Sequence, residues 1–284
     1  MSYSVVIPAK NEAQGLKLLL PKLSSLASDA LEIIVVNDGS TDNTLEVVKQ
    51  HQVKVVTHQY AKGNGAAIKA GARVAKGDVI VFMDADGQHD PKYIADLLAE
   101  ISAGADMAVG ARDSGSQASV GRMLANQFYN KFASWMTGFE IRDLTSGFRA
   151  VRRERFLQFL YLLPNGFSYP TTSTMAFFRS GFTVVYIDIK ADERIGKSHL
   201  NIWKDGIKFL LIIFKIGTLF SPMKLFFPIS ILFFMVGAMY YGYTYIEFHR
   251  FTNMSAMLFS SSVLVFLMGL VSEQVSALHY KDVR

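Results

Sequence analysis

Val79-Ile80-Val81-Phe82-Met83-Asp84-Ala85-Asp86-Gly87-Gln88-His89-Asp90-Pro91 passes from an unbroken apolar run straight into an acidic turn. Apolar residues without alternation describe a strand buried on both faces, as in a parallel sheet covered by helices. Two carboxylates at i and i+2 on an extended chain project to the same side. So close together they repel unless a proton or a cation intervenes. A hard oxygen site of this kind suits Mg2+ or Mn2+, which also bind diphosphate oxygens. Gln88 offers a further neutral oxygen ligand, and His89 stands behind the acidic pair. Asp90-Pro91 reads as a helix N-cap followed by Pro at the first helical position. By itself the triplet is equally a solvated strand end.

Outward from this stretch, the same kind of apolar run recurs at 3–7, 32–36, 53–57 and 107–109. Amphipathic segments at 15–26, 44–50, 65–75 and 93–101 separate them. Strands alternating with helices predict an α/β fold, a mostly parallel nucleotide-binding sheet with helices on both faces. A helix over 121–137, with Phe128, Phe132 and Trp135 on one side, and strands at 148–151 and 183–189 complete the region. Sheets of this type take ligands at the carboxyl ends of their strands. The unusual residues fall at those ends: 8–12, 37–42 and 84–90.

In Asn37-Asp38-Gly39-Ser40-Thr41-Asp42, Gly39 permits a tight turn, and Asp38 is a candidate acceptor for a base or ribose hydroxyl. Asp42 reads as a helix cap, and Glu12 as a polar contact or a first-turn acid. Lys62-Gly63-Asn64-Gly65 matches neither a Walker sequence nor the G-x-G-x-x-G fingerprint, which counts against ATPase and dehydrogenase readings.

The chain of 284 residues is half hydrophobic and contains no cysteine, which excludes disulfides, zinc–thiolate sites and cysteine nucleophiles. Its net charge of +5 fits ordinary surface lysine or attraction to anionic lipid and phosphate. Residues 225–246 and 251–272 carry no charge. Each stretch is long enough to cross a hydrocarbon core of roughly 30 Å. Only Glu247-Phe248-His249-Arg250 separates them, so a transmembrane hairpin is predicted, with Lys204, Lys208, Lys215 and Lys224 before it and Lys281 and Arg284 after it. The positive-inside rule places both ends in the cytoplasm. Residues 201–220 read as an interfacial amphipathic helix, lysines among headgroups and apolar face in the acyl boundary. The N-terminus lacks a basic n-region and a cleavage site, so no signal peptide is expected.

Four motifs occur together and in order: Val6-Ile7-Pro8-Ala9-Lys10-Asn11-Glu12, the 37–42 turn, 84–91, and Thr145-Ser146-Gly147-Phe148-Arg149. The set resembles the family 2 inverting glycosyltransferases with a GT-A fold, and within them the polyprenyl-phosphate glycosyltransferases, over residues 3–220. That resemblance implies roles. Pro8, Glu12 and Asp38 would line the nucleoside pocket, with Asp84, Ala85 and Asp86 completing the donor site. Asp84, Asp86 and Gln88 would hold the metal and diphosphate. Arg112 would sit near the transferred sugar or phosphate. Arg194 and Lys197 would grip the lipid phosphate, with Arg122 assisting. Asp143 would act as a base or a positioning residue. Processive relatives carry Gln-x-x-Arg-Trp, which is missing here, so a single transfer is expected.

The expected organisation is a cytoplasmic glycosyltransferase domain over 1–198, an interfacial segment over 199–222, and a hairpin with a short tail over 223–284. The expected activity is inverting transfer of one sugar from a nucleotide-sugar donor to undecaprenyl or dolichyl phosphate. The expected setting is the cytoplasmic side of the inner (plasma) membrane, with a multi-pass anchor and no nucleic-acid partner; a homo-oligomer is left open. The alternatives are the same fold acting on a glycolipid hydroxyl, and a catalytically silent membrane scaffold.

Overall fold

The structure, a computed structural model, describes residues 1–25, 31–112, 120–166, 168–190, 214–215 and 217–279; the side chains of residues 31, 120–125 and 279 fall outside that description. The chain divides into two compact units, Met1–Ser198 and His199–Arg284.

In the first unit, seven strands form one sheet: β1 (Tyr3–Ala9), β2 (Leu31–Asp38), β3 (Lys54–His58), β4 (Val79–Phe82), β5 (Met107–Arg112), β6 (Arg149–Arg152) and β7 (Val184–Ile189). Their order is β3-β2-β1-β4-β6-β5-β7. β1 is flanked by β2 and β4, both parallel to it, with Ala9 opposite Asn37 and Val6 opposite Phe82. Val5, Val6 and Ile7 are all fully buried, as expected when both faces of a parallel strand are covered. From β1 the chain steps to β2 and β3 on one side and to β4 on the other, which opens a crevice at the carboxyl ends. The sequence reading did not anticipate that β6 runs antiparallel between β4 and β5, pairing Phe82 with Arg149 and Met107 with Val151. This insertion brings the 145–149 motif against the acidic turn.

The helices pack by an apolar stripe. α1 (Ala13–Ser24) buries Leu16, Leu19, Leu20 and Leu23, spaced to share one face. α2 (Thr44–Lys49) buries Val47 and Val48. α3 (Asn64–Val74) approaches the sheet so closely that a Cβ at Gly71 would collide with Val6. α4 (Ile94–Ser102) buries Ile94, Leu97 and Ile101. Full burial of one such leucine contributes about 1.5–3 kcal/mol. Ahead of α4, the Asp90 side chain accepts from the Lys92 N–H at 3.0 Å with Pro91 at the first helical position, the predicted cap. α5 (Val120–Thr137), α6 (Arg153–Leu157) and α7 (Tyr169–Arg179) complete the unit.

The second unit contains α8 (Pro222–Phe248) and α9 (Asn253–His279), each 27 residues. At 1.5 Å per residue such helices are about 40 Å long, enough to cross a bilayer. Their apolar side chains point mostly outward, Met239 being 75% and Leu264 61% exposed, which the core helices of a soluble protein do not do. Small residues face inward. The Ser230 and Ser262 hydroxyls each donate to the other's carbonyl, and Gly237 lies against Leu258 and Phe259. Small and hydroxylated residues at the contact suit helix pairing in lipid. Both helices outrun the predicted uncharged stretches, with Glu247 still inside α8. Of the predicted interfacial helix, only 214–215 and 217–220 are described, and they are helical.

Candidate active site

The loop after β1 turns through Asn11, a non-glycine residue with φ of 57°; the short amide side chain of Asn makes that left-handed conformation accessible. The Asn11 Oδ1 accepts from the Thr41 N–H at 2.8 Å, and the Asn11 N–H donates to Ser40 Oγ at 3.0 Å. The Glu12 N–H donates to Thr44 Oγ1. Asp42 accepts from the N–H groups of Thr44 and Ala13, so its capping extends to two helix starts. These bonds lock the β1 and β2 loops into one wall.

Asp38 ends β2 and is 3% exposed. Its carboxylate accepts from His58 Nδ1 at 2.7 Å and from the N–H groups of Lys62 and Gly63, both at 2.8 Å. Burial pushes the Asp38 carboxyl up, but these hydrogen bonds and the His58 charge outweigh it and leave it below the ordinary Asp value. β3 starts and ends one residue later than the sequence implied, which sets His58 directly opposite Asp38. Asp38 therefore holds the 60–63 loop as well as facing the cleft. At the start of α3, the Gly65 and Ala66 N–H groups are already bound to the carbonyls of Gly166 and Asn165. A phosphate cradle is not available at those two amides.

The acidic turn differs from its expected form. β4 stops at Phe82, and Ala85-Asp86 lies in a turn, so extended i, i+2 geometry is not what joins the carboxylates. Both still line one cleft of about 340 Å³, together with Pro8, Glu12, Asp38 and Ala85. All six predicted donor-side residues meet there. Gln88 does not line it; its N–H donates to Asp86 Oδ1 at 3.2 Å. His89 is buried, stacks on Phe148 at 5.1 Å, and sets Nε2 3.8 Å from Asp84 Oδ2. Burial is the largest influence on its imidazole and lowers its pKa to about 4, against the raising pull of Asp86 and Asp143, so the ring is neutral at pH 7.

Among the described residues, no group of three His, Cys, Asp or Glu side chains gathers into a metal cage. Two carboxylates on a cleft still fit Mg2+ or Mn2+, because such ions are held by one or two carboxylates plus substrate phosphates and water. Two buried polar atoms near this turn, His89 Nδ1 and Ser146 Oγ, have no hydrogen-bond partner among the described residues.

Arg112, at the end of β5, makes a two-point pair with Asp143: Nε to Oδ2 at 2.8 Å and Nη2 to Oδ1 at 3.1 Å. Nη2 also donates to Thr145 Oγ1 at 2.7 Å. Burial works against the Arg112 charge, but Asp143, Asp84 and Asp86 outweigh it and raise its pKa above the usual value. Asp143 in turn accepts from the N–H groups of Thr145 and Ser146. Burial pushes its carboxyl up, and the Arg112 bonds and charge bring it below the ordinary Asp value. Arg194 and Lys197 lie outside the described residues, as does the side chain of Arg122 on α5. The reading missed His58, Thr145 and Tyr169 and gave Arg149 no role. Only Arg149 and Thr145 carried a signal, as part of a quoted motif.

Sheet order and cleft define a GT-A-like nucleotide-binding α/β fold. Residues 4–159, more than half of the chain, match the glycosyl transferase family 2 model, and residues 221–278 match the GtrB C-terminal hairpin. The chain belongs to glycosyl transferase family 2. It is 32% identical over 205 residues to a polyprenol monophosphomannose synthase of Mycolicibacterium smegmatis, covering 67% of this chain and 77% of that one. It is 36% identical over 182 residues to a dolichol-phosphate mannosyltransferase of Pyrococcus furiosus, covering 59% of this chain and 50% of that protein. Glucosyl-3-phosphoglycerate synthase from Mycobacterium tuberculosis, solved with Mn2+ and UDP-glucose, superposes with a TM-score of 0.60 at 21% identity, covering 75% of this chain and 76% of that one. The last likeness concerns the fold.

Proposed function

We propose that this glycosyltransferase transfers one sugar, with inversion, from a nucleotide-sugar donor to a polyprenyl phosphate (undecaprenyl or dolichyl) at the cytoplasmic face of the inner (plasma) membrane. The observation that carries this reading is the junction of two charge sets. Asp84 and Asp86 line the donor cleft, and Arg112 stands within their field, fixed by Asp143.

Asp84 and Asp86 would hold Mg2+ or Mn2+, with substrate oxygens and water completing the shell in place of Gln88, which lies off the cleft lining. When bound, the ion neutralises the leaving diphosphate as a Lewis acid. Pro8, Glu12 and Asp38 wall the nucleoside end. Arg112 meets the acceptor phosphate or the transferred sugar as a fixed cation, its Nε and Nη2 bound to Asp143 and Thr145. Arg122, Arg194 and Lys197 are proposed as further cationic partners of the lipid phosphate.

A phosphomonoester has a second pKa near ~6, so its oxygen is already ionised at pH 7. That oxygen forms a bond to the anomeric carbon as the bond to the diphosphate oxygen breaks. No proton needs removal, and a strong base is dispensable. Asp143, tied to the Arg112 side chain and three backbone amides, is therefore assigned to positioning. Residues 1–198 form the catalytic part in this reading, 199–222 the interfacial part, and 223–284 a multi-pass anchor with a short tail.

Calorimetry with UDP and GDP, with and without Mn2+, tests the donor half. Binding that requires the ion is expected; binding indifferent to it, or none, contradicts the reading.

A further inference from the structure

Among the described residues, Arg149 is the largest fully buried side chain, at 0% exposure. Among the described residues it makes no ion pair with a carboxylate. Nε and Nη2 both donate to the Ser146 carbonyl, Nε at 3.2 Å. Nη1 donates to the Pro170 carbonyl at 3.0 Å, Ser173 Oγ at 3.0 Å and Thr174 Oγ1 at 2.9 Å. The guanidinium lies 5.7 Å from the centre of the Tyr169 ring. The Tyr169 hydroxyl donates to the next carbonyl along, that of Gly147, at 2.8 Å. Two consecutive carbonyls are thus gripped from behind by two neighbouring buried side chains.

The front of the same segment faces the chemistry. A Cβ on Gly147 would collide with the Asp84 carboxylate, so the Gly147 backbone is the wall against which Asp84 rests. The Ser146 N–H and Thr145 N–H are bound to Asp143, which grips Arg112. Segment 143–147 therefore touches both the acidic turn and the arginine opposite. A buried guanidinium costs desolvation that neutral oxygens only partly return. A methionine or leucine would fill the volume at lower cost, but neither supplies donors to the Ser146 carbonyl.

We propose that Arg149 and Tyr169 are positioning residues that fix segment 145–147 and, through it, the location of the Asp84 carboxylate that meets the metal and diphosphate. This rests on the donor-site reading above. Groups that orient a metal's ligands typically govern affinity about 10–100-fold.

The test is Mn2+ titration of nucleoside-diphosphate binding, using UDP or GDP, whichever the full-length wild-type chain binds more tightly. Tyr169→Phe keeps the ring over Arg149 and removes only the hydroxyl; Arg149→Lys keeps the charge and loses the fork. Leu97→Val, in the core of α4, supplies a general loss of stability. Thermal melting is recorded for all. The Mn2+ concentration for half-maximal binding is expected to rise about tenfold or more in Tyr169→Phe and in Arg149→Lys, and to stay within twofold in Leu97→Val. Unchanged half-saturation in both clamp variants overturns the inference, as does an equal rise in Leu97→Val. If Arg149→Lys does not fold, Tyr169→Phe decides alone. Should Tyr169→Phe also fail to fold, the pair is a structural support and the inference is overturned. If the wild-type chain shows no metal-dependent binding, the donor-site reading falls, and the inference with it.

Discussion

Arg112 and Asp143 meet through two parallel hydrogen bonds, 2.8 and 3.1 Å long, across 31 residues of sequence. Every remaining bond recorded for Asp143 holds backbone or the Thr145 hydroxyl. A carboxylate so engaged orients a cation; it is poorly disposed to take a proton. Asp143→Asn should therefore release Arg112 and slow transfer without removing a titrating base. The activity–pH profile between pH 6 and 9 is expected to keep its shape at reduced height. A lost acidic limb, on which activity rises as a base gives up its proton, would assign Asp143 to proton transfer instead.

The same residue makes a stability prediction with a definite sign. Its folded pKa is depressed, so its contribution is complete above the ordinary Asp value near ~3.9 and is lost as pH falls below it. Breaking a largely buried pair costs about 3–5 kcal/mol. In detergent, Asp143→Asn should melt well below wild type at pH 7, and the gap should narrow as pH approaches 3. A gap that is constant with pH would argue that the ion pair contributes nothing.

Gly147→Ala tests the close approach to Asp84. The added methyl group has no room between the 147 backbone and the carboxylate. About tenfold weaker Mn2+-supported nucleotide binding is expected. Gly138→Ala serves as a contrast at a glycine with open space around it, although its φ of 82° makes it strained in backbone; it should lower the melting temperature and leave nucleotide binding alone.

Much of this site was legible in the sequence, and the reasons are local. Apolar runs without alternation mark strands of a covered parallel sheet, and β1, β2 and β4 fall where those runs do. Because ligands collect at strand ends, Pro8, Glu12, Asp38 and Asp84 to Asp86 were found as one group. What escaped notice depends on contacts far apart in sequence. The β6 insertion, the Asp38–His58 contact and the Arg149–Tyr169 clamp join segments that no periodicity connects. A fully buried arginine also defies the expectation that charge stays at the surface, so its position in a recognised motif gave no hint of its burial. The acidic pair was found for a reason that proved incomplete, since a turn, not an extended strand, joins the two carboxylates.

The hairpin admits a clean topological test because the chain has no native cysteine. Single substitutions Arg250→Cys, in the turn between α8 and α9, and Lys281→Cys, in the tail, should label from opposite sides of the membrane with an impermeant maleimide. Labelling of both from one side would contradict a hairpin that spans.

Transfer itself tests the central claim most directly. Purified enzyme is given a panel of UDP- and GDP-sugars with Mn2+ and undecaprenyl phosphate, and nucleoside diphosphate release is measured. One donor is expected to release its diphosphate only when the lipid phosphate is present, and Asp86→Ala is expected to abolish that release. No lipid-phosphate-dependent release from any donor, or release supported instead by a glycolipid bearing only hydroxyls, would contradict the account.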